Sequence, residues 1–146
     1  MVGEQDQRNP LPDEIYGNIA SHRRVHILPF TDDLASHIAA MDIVVLPSYR
    51  EGFGNVLIEA SAMKKPVIAT DIVGCKDAVK PNETGLLVEP RNSLALKNAL
   101  NKLLSDDHLR EKLGQHGRKW VESEFDRKLI WQRLFGVYRQ ILNKDN

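Results

Sequence analysis

Four short apolar runs, separated by longer amphipathic stretches, constrain the fold of this chain more than any other feature. Each run is about four residues long and is bounded by turn-forming residues, which is typical of a parallel strand buried on both faces. Strands that alternate with amphipathic helices predict βαβ units and a parallel sheet, and therefore an α/β fold. The predicted strands are residues 25–28, 43–46, 67–70 and 86–88.

The predicted helices lie before, between and after these strands. They cover residues 12–20, 34–41, 55–63 and 74–79, and three more amphipathic helices follow Pro90. The second of those three is marked by Leu109, Leu113 and Trp120, and we expect Gly114 and Gly117 to interrupt it. The acidic pairs at 32–33 and 106–107 precede helices and are interpreted as caps. We expect one domain over residues 1–146, in which residues 106–146 form a carboxyl-terminal helical extension.

The composition excludes several classes of protein. The chain has 146 residues, 42% of them hydrophobic, and its 20 basic and 20 acidic residues give a net charge of zero. This balance argues against nucleic acid as a partner. A lone cysteine, Cys75, cannot form an internal disulfide, and no Cys/His cluster has the spacing of a metal site. No stretch approaches the roughly 20 apolar residues that cross a bilayer, so we expect a soluble, cytoplasmic protein without a bound metal.

Residues 48–59, Ser-Tyr-Arg-Glu-Gly-Phe-Gly-Asn-Val-Leu-Ile-Glu, carry the chemical signal. They follow a predicted strand and enter a helix, and the loop between them stands where open α/β sheets bind ligands. Glycines 52 and 54 let a ligand approach the backbone, and the helix start attracts an anion. Glu51 and Glu59 offer carboxylates to paired hydroxyls. A nucleotide sugar has this layout of diol, diphosphate and diol, although two acids near a helix start are also common for electrostatic reasons alone.

The segment from Leu46 to Ala60, followed by residues 65–71 and 83–88, resembles the donor-binding half of retaining glycosyltransferases of family 4, the GT-B "group 1" enzymes. The resemblance implies a Rossmann-like doubly wound parallel sheet, the GT-B carboxyl-terminal domain, truncated at its amino end and followed by helices. It also implies that this chain is a fragment, with residues 1–4 as the end of the domain's second strand and no acceptor domain.

The same resemblance assigns roles to individual residues. Glu59 would accept hydrogen bonds from the donor ribose, and Glu51 would be the catalytic residue that faces the transferred sugar. Gly52 belongs to the same loop, and backbone N–H groups of Phe53, Gly54 and Asn55 would approach the sugar and the diphosphate. Leu28 and Phe30 would lie beside the nucleobase, while Pro29 departs from the glycine common in relatives and removes a backbone donor there.

As a family member, the protein would transfer a sugar from a UDP- or GDP-sugar substrate to a glycan, polysaccharide or lipid-linked acceptor, without a cofactor. The acceptor would bind through an amino-terminal domain, and the full protein would be cytoplasmic or peripheral at the inner face of the membrane. The arginine and lysine that clamp the diphosphate in relatives have no counterpart here, so we expect no transfer by these 146 residues alone. We also expect self-association through exposed apolar surface.

Three other interpretations remain open from the sequence. The chain could be a non-catalytic module that binds a nucleotide sugar or a partner. It could be a purely structural α/β interaction domain in which Glu51 and Glu59 are surface acids. A non-hydrolysing nucleotide-sugar epimerase would share the GT-B architecture, but the Glu-x7-Glu spacing fits the transferases better.

Overall fold

The computed structural model describes residues 1–2 and 10–142, which fall into two compact units, Met1–Ser36 and His37–Asn146. Among its described residues, the first unit contains helix α1 (Asp13–Ser21) and a parallel bridge between Val2 and Leu28. The predicted strand over residues 25–28 is wrong, since of these four residues Leu28 alone has a bridge partner in the part of the chain that the structure describes. Among the described residues, its partners are the two at the amino terminus, where Leu28 N–H donates to the carbonyl oxygen of Met1 at 2.8 Å, and one bridge does not make a ladder.

The second unit is built on three parallel strands, β1 (Val44–Leu46), β2 (Val67–Thr70) and β3 (Gly85–Val88). Their spatial order follows the sequence, with Val44 opposite Val67 and Val67 opposite Gly85. All four residues of β2 are buried, as expected for the central strand of a sheet covered on both faces. The predicted α/β architecture with a parallel sheet and flanking helices is confirmed.

In the described part of the chain, five helices follow α1. Their bounds are α2 (Leu34–Ala39), α3 (Asn55–Ala62), α4 (Ser93–Leu104), α5 (Asp107–Glu124) and α6 (Arg127–Leu142), with a 3-10 turn over Val73–Cys75 in place of the predicted helix 74–79. Helices α3, α4 and α5 contact the sheet. The acids act as predicted caps: Asp33 accepts from the N–H of Ser36 at 3.2 Å, and Asp106 accepts from that of Leu109 at 2.8 Å. Asp107, in contrast, is the first residue of α5 and pairs with Arg110.

The hydrophobic core lies between the sheet and helices α4 and α5. It joins side chains of β2 and β3 to those of the two helices, and its buried members are Ile68, Leu86, Val88, Ala99, Leu103 and Leu113. Leu103 and Leu113 are fully buried, so truncation of either would remove the transfer energy of the side chain and leave a cavity. This core fixes β2 and β3, and β2 pairs with β1, whose carboxyl end carries the loop at residues 48–54.

The expected interruption of the second carboxyl-terminal helix is wrong, because α5 runs unbroken through Gly114 and Gly117. A Cβ atom on Gly114 would overlap the carbonyl oxygen of Lys64 and lie 2.8 Å from its carbonyl carbon. A Cβ atom on Gly117 would lie 3.1 Å from that of Ser61. The glycines therefore let α5 approach the end of α3, and this packing outweighs their low helix propensity.

Helix α6 presents an apolar stripe that nothing in the described part of the chain covers. None of its residues is buried, and the stripe consists of Trp131, Leu134, Phe135, Tyr138 and Ile141, all exposed. The expectation of exposed apolar surface at this end of the chain is met. None of the described helices is both long and apolar enough to span a membrane.

Self-association through this stripe stays a prediction. Because an exposed apolar patch on a monomer promotes association, we expect sedimentation velocity to show oligomers that grow with protein concentration. Phe135→Glu should reduce them by placing a charge in the stripe, whereas Gln140→Glu, on the opposite side of α6, should not. A chain that stays monomeric at high concentration would contradict the prediction.

Candidate functional site

The loop between β1 and α3 stands at the carboxyl edge of the sheet, where the sequence predicted it. Two side-chain hydrogen bonds hold its first half: the Thr70 hydroxyl at the end of β2 donates to the carbonyl oxygen of Ser48, and the Ser48 hydroxyl donates to that of Arg50 at 3.0 Å. Thr70 is buried, so its bond ties the loop to the central strand. The backbone is thus fixed immediately before Glu51.

Gly74, in the 3-10 turn after β2, supports the same loop from one side. Its φ is +46°, and a Cβ atom there would lie 2.5 Å from the carbonyl oxygen of Glu51 and 2.9 Å from its carbonyl carbon. The carbonyl oxygen of Gly74 accepts a hydrogen bond from the N–H of Gly54 at 3.2 Å. Only a glycine allows both the left-handed conformation and the close approach.

The start of α3 has backbone donors for an anion, although two of those predicted are already used. The N–H of Gly54 bonds Gly74, and the N–H of Asn55 bonds the carbonyl oxygen of Phe53 at 2.8 Å. Gly54 is the residue before the helix, and no side chain caps it. Within the described residues, the N–H groups of Phe53 and Val56 have no acceptor in the chain, so these two are the donors left for a ligand.

The two acids differ in their surroundings. Glu51 is half-buried beside the turn at Gly74, whereas Glu59 is exposed just over one turn into α3, as predicted. Gly52 and the side chain of Asn55 are exposed as well. The site therefore offers one half-buried carboxylate on a loop whose backbone the fold holds and one exposed carboxylate on the helix.

Phe53 supports the loop from a second side. Its ring, 37% exposed, lies 5.8 Å from that of Phe125 between centroids, and Phe125 in turn meets the edge of Trp120 at 5.0 Å. Phe125 is the capping residue directly after Glu124, where α5 ends. Neither Phe125 nor Gly74 was predicted to act on the loop; a glycine after a strand was the only sequence signal for Gly74, and Phe125 gave none.

Cys75, in the 3-10 turn beside the loop, is fully buried. Burial raises the pKa of its thiol, the negative charge of Glu51 raises that pKa further, and a hydrogen bond with Thr70 opposes the two. The thiol is therefore protonated at neutral pH and is a poor nucleophile. No group of three His, Cys, Asp or Glu in the described ranges is arranged to hold a metal ion.

A cavity of about 220 Å³ opens at the carboxyl ends of the three strands, beside this loop. Pro47, Thr70 and Val88 line it where the strands end, and Tyr49 and Arg91 form part of its wall with the guanidinium 5.5 Å from the ring centroid. Sites that enclose drug-sized ligands are roughly 300–1,000 Å³. This hollow alone is too small to enclose a nucleotide sugar.

Leu28 and Phe30, predicted to lie beside the nucleobase, belong to the unit Met1–Ser36. Leu28 is half-buried by its pairing with Val2, and the ring of Phe30 is 75% exposed. Their place beside a nucleobase stays a prediction.

Comparison with known proteins places this arrangement in a family. The family model of glycosyl transferases group 1 matches residues 1–120, which include the sheet, the loop and α3. The chain belongs to the group 1 glycosyl transferase family. The predicted GT-B Rossmann-like class agrees with this membership.

Individual group 1 and related proteins extend the comparison. The chain is 35% identical over 144 residues to the capsular polysaccharide biosynthesis glycosyltransferase CapM of Staphylococcus aureus, covering 99% of this chain and 38% of CapM. It superposes on sucrose-phosphate synthase from Thermosynechococcus elongatus with a TM-score of 0.84 at 36% identity, over 98% of this chain and 38% of that one. For Anabaena HepE in complex with UDP-glucose the TM-score is 0.84 at 26% identity, over 95% of this chain and 40% of HepE. The chain thus spans about two fifths of the length of these relatives.

Proposed function

We propose that this chain is the donor-binding domain of a retaining, family 4 glycosyltransferase that takes its sugar from a nucleotide diphosphate sugar. The observation that carries the proposal is the uncapped start of α3, with two free N–H groups between a half-buried and an exposed glutamate at the carboxyl edge of the sheet. The likeness to HepE in complex with UDP-glucose supports a donor of this class.

Each part of the donor has a matching group in the proposed site. The diphosphate binds at the N–H groups of Phe53 and Val56, where the helix dipole favours negative charge. Glu59 accepts hydrogen bonds from the ribose, and Glu51 faces the hydroxyls of the transferred sugar. Gly74 holds the backbone of Glu51, and from that backbone the carboxylate stabilises the charge that develops on the sugar.

The rest of the reaction belongs to the whole protein. We propose that it uses neither a metal nor a cofactor, and that it acts in the cytoplasm or at the inner face of the membrane. Its acceptor is a glycan, a polysaccharide or a lipid-linked glycan, in keeping with the capsular polysaccharide role in the name of CapM. Diphosphate clamping by cations and acceptor binding are contributions that we assign to parts outside these 146 residues.

Titration with UDP, GDP and ADP, followed by nuclear magnetic resonance, tests the proposal. We expect millimolar UDP or GDP to shift the amide signals of residues 51–59, and Glu59→Gln to weaken the binding roughly tenfold, since a hydrogen bond to a charged group contributes about 1.5–3 kcal/mol.

Glu83→Gln is the matched control for this charge change. Glu83 is exposed and lies two residues before β3, at the amino edge of the sheet, so its substitution should leave nucleotide affinity unchanged. An absence of shifts at residues 51–59 with all three nucleotides would reject this chain as a nucleotide-binding unit.

A further inference from the structure

Aromatic contacts connect the loop at residues 51–54 to the corner between α5 and α6. The Phe53 and Phe125 rings meet at 5.8 Å with an angle of 49°, and the Trp120 ring meets Phe125 edge-on at 5.0 Å and 84°. These spacings are within the range of attractive aromatic pairs. The ammonium group of Lys80 lies 5.6 Å from the Trp120 ring centroid and adds a cation–π contact.

The corner itself is well fixed, which makes it suitable for holding a loop. The N–H of Phe125 donates to the carbonyl oxygen of Val121 at 2.8 Å and ends α5, and Asp126 accepts from the N–H of Lys128 at 2.8 Å and begins α6. An ion pair between Glu124 and Arg133 at 3.3 Å spans the two helices. The direction of α6 and the position of the Phe125 ring are therefore set together.

The other support of the loop is the 3-10 turn that contains Gly74. Gly74 contacts the backbone of Glu51 and accepts the hydrogen bond from Gly54, so the loop is held by the 3-10 turn through its backbone and by the α5–α6 corner through the Phe53 ring. The backbone N–H groups of Phe53 and Val56 belong to the segment that these two supports hold. The direction of these two N–H groups therefore depends on both supports.

We propose that Phe125 is a positioning residue for the donor loop: through the Phe53 ring, the α5–α6 corner sets the backbone of residues 53–56 that receives the diphosphate. The proposal rests on the proposed function for its ligand, but its structural part is independent of any ligand. It also makes the emission of Trp120, which touches Phe125, sensitive to the state of the loop.

The first test uses amide hydrogen exchange without nucleotide. In Phe125→Leu, which keeps apolar volume and removes the ring, we expect the Gly54 amide to exchange roughly 2- to 10-fold faster, the range expected for loss of one aromatic pair. Amides of β2 should be unchanged. Phe135→Leu, which removes an exposed ring from α6 without touching Phe53, is the matched control, and Phe125→Tyr, which keeps the ring, should restore slow exchange.

The second test adds UDP. We expect Phe125→Leu to weaken UDP binding by a factor similar to the increase in Gly54 exchange, and Phe135→Leu and Phe125→Tyr to bind as the original chain does. The sequence has two tryptophans, so in Trp131→Phe the remaining emission comes from Trp120. That emission should change on addition of UDP, and the change should be lost when Phe125→Leu is combined with Trp131→Phe.

These tests distinguish two roles of the Phe53–Phe125 contact: it positions the loop, or it contributes only to packing. Faster exchange at β2 as well as at Gly54 would mean that Phe125 stabilises the whole fold, which would overturn the proposal. An unchanged exchange rate of the Gly54 amide would overturn it too. If Phe125→Leu does not fold, Phe53→Leu tests the same pair from the loop side with the same expected exchange. Faster Gly54 exchange together with no UDP binding by any form would uphold the coupling and reject the proposed function.

Discussion

Gly114→Ala is expected to lower the free energy of unfolding by about 1–3 kcal/mol, although alanine is the better helix former by about 0.8–1 kcal/mol. The reason is steric, because the new Cβ atom would overlap the carbonyl oxygen of Lys64. A backbone carbonyl cannot rotate away as a side chain can. Either α5 or the end of α3 must move, and urea denaturation followed by circular dichroism measures the loss.

The end of α3 has little freedom to move. Its last residues form a Schellman-type turn, in which Lys65 N–H bonds the carbonyl oxygen of Ala60 at 2.9 Å and Lys64 adopts a φ of 59°. Arg118 on α5 also donates to the carbonyl oxygen of Ala62. A shift of α5 would break these contacts and disturb Leu113, which is fully buried one residue before Gly114.

Gly136→Ala is the control, because it makes the same chemical change in a helix with nothing within 4 Å of the new Cβ atom. There the helix propensity acts alone, so we expect stability to be unchanged or raised by up to about 1 kcal/mol. Opposite signs for the two substitutions would support the close approach of α3 and α5. Equal stability of Gly114→Ala and the original chain would contradict it.

Gly114 also shows where prediction from sequence stopped. The local sequence pattern was sufficient to predict β1, β2 and β3, since short apolar runs are typical of strands buried on both faces. It placed a break at Gly114 and Gly117 because propensity was the only local information there. The close contacts with Ser61 and Lys64 are tertiary, so the local sequence pattern cannot predict them.

The predicted strand at residues 25–28 failed for a related reason. A strand exists only when a partner supplies a ladder, and within residues 1–2 and 10–142 Leu28 alone pairs, with Val2. An apolar run predicts burial, and Val25, Ile27 and Leu28 are indeed half-buried, but it does not specify the partner.

In the candidate site, too, the sequence predicted the elements that carry the residues but not the long-range contacts that hold the loop. Glu51, Gly52, Gly54 and Glu59 were placed on a loop and the helix after it by spacing alone, and the structure has them on those elements. What fixes the loop is distant in sequence: Gly74 acts on Glu51, and Phe125 acts on Phe53. The use of the Gly54 and Asn55 N–H groups within the chain also follows from folding and not from spacing.

Gly74→Ala is expected to damage both stability and nucleotide binding. An L-residue at φ +46° costs about 1–2 kcal/mol for its backbone conformation. The Cβ atom would also lie 2.5 Å from the carbonyl oxygen of Glu51, and relief of such overpacking typically costs about 1–3 kcal/mol more. The total expected loss in the free energy of unfolding is about 2–5 kcal/mol, measured by urea denaturation.

The effect on binding follows from the way that the overlap is relieved. If the turn at Val73–Cys75 moves, Gly54 loses the acceptor of its N–H; if the loop moves, Glu51 leaves the position that faces the donor sugar. Either shift displaces the N–H groups at the start of α3, so we expect folded Gly74→Ala to bind UDP at least about tenfold more weakly. Isothermal titration of the folded variant measures this.

Gly52→Ala separates the general cost of an alanine in this region from the specific role of Gly74. Nothing lies within 4 Å of a Cβ atom at Gly52, and Gly74 is the described glycine with a positive φ, so the stability of Gly52→Ala should stay within about 0.5 kcal/mol of the original. Gly74→Ala with equal stability would mean that the turn does not support Glu51. A stable Gly74→Ala variant that nonetheless lost UDP would instead place the turn in contact with the ligand.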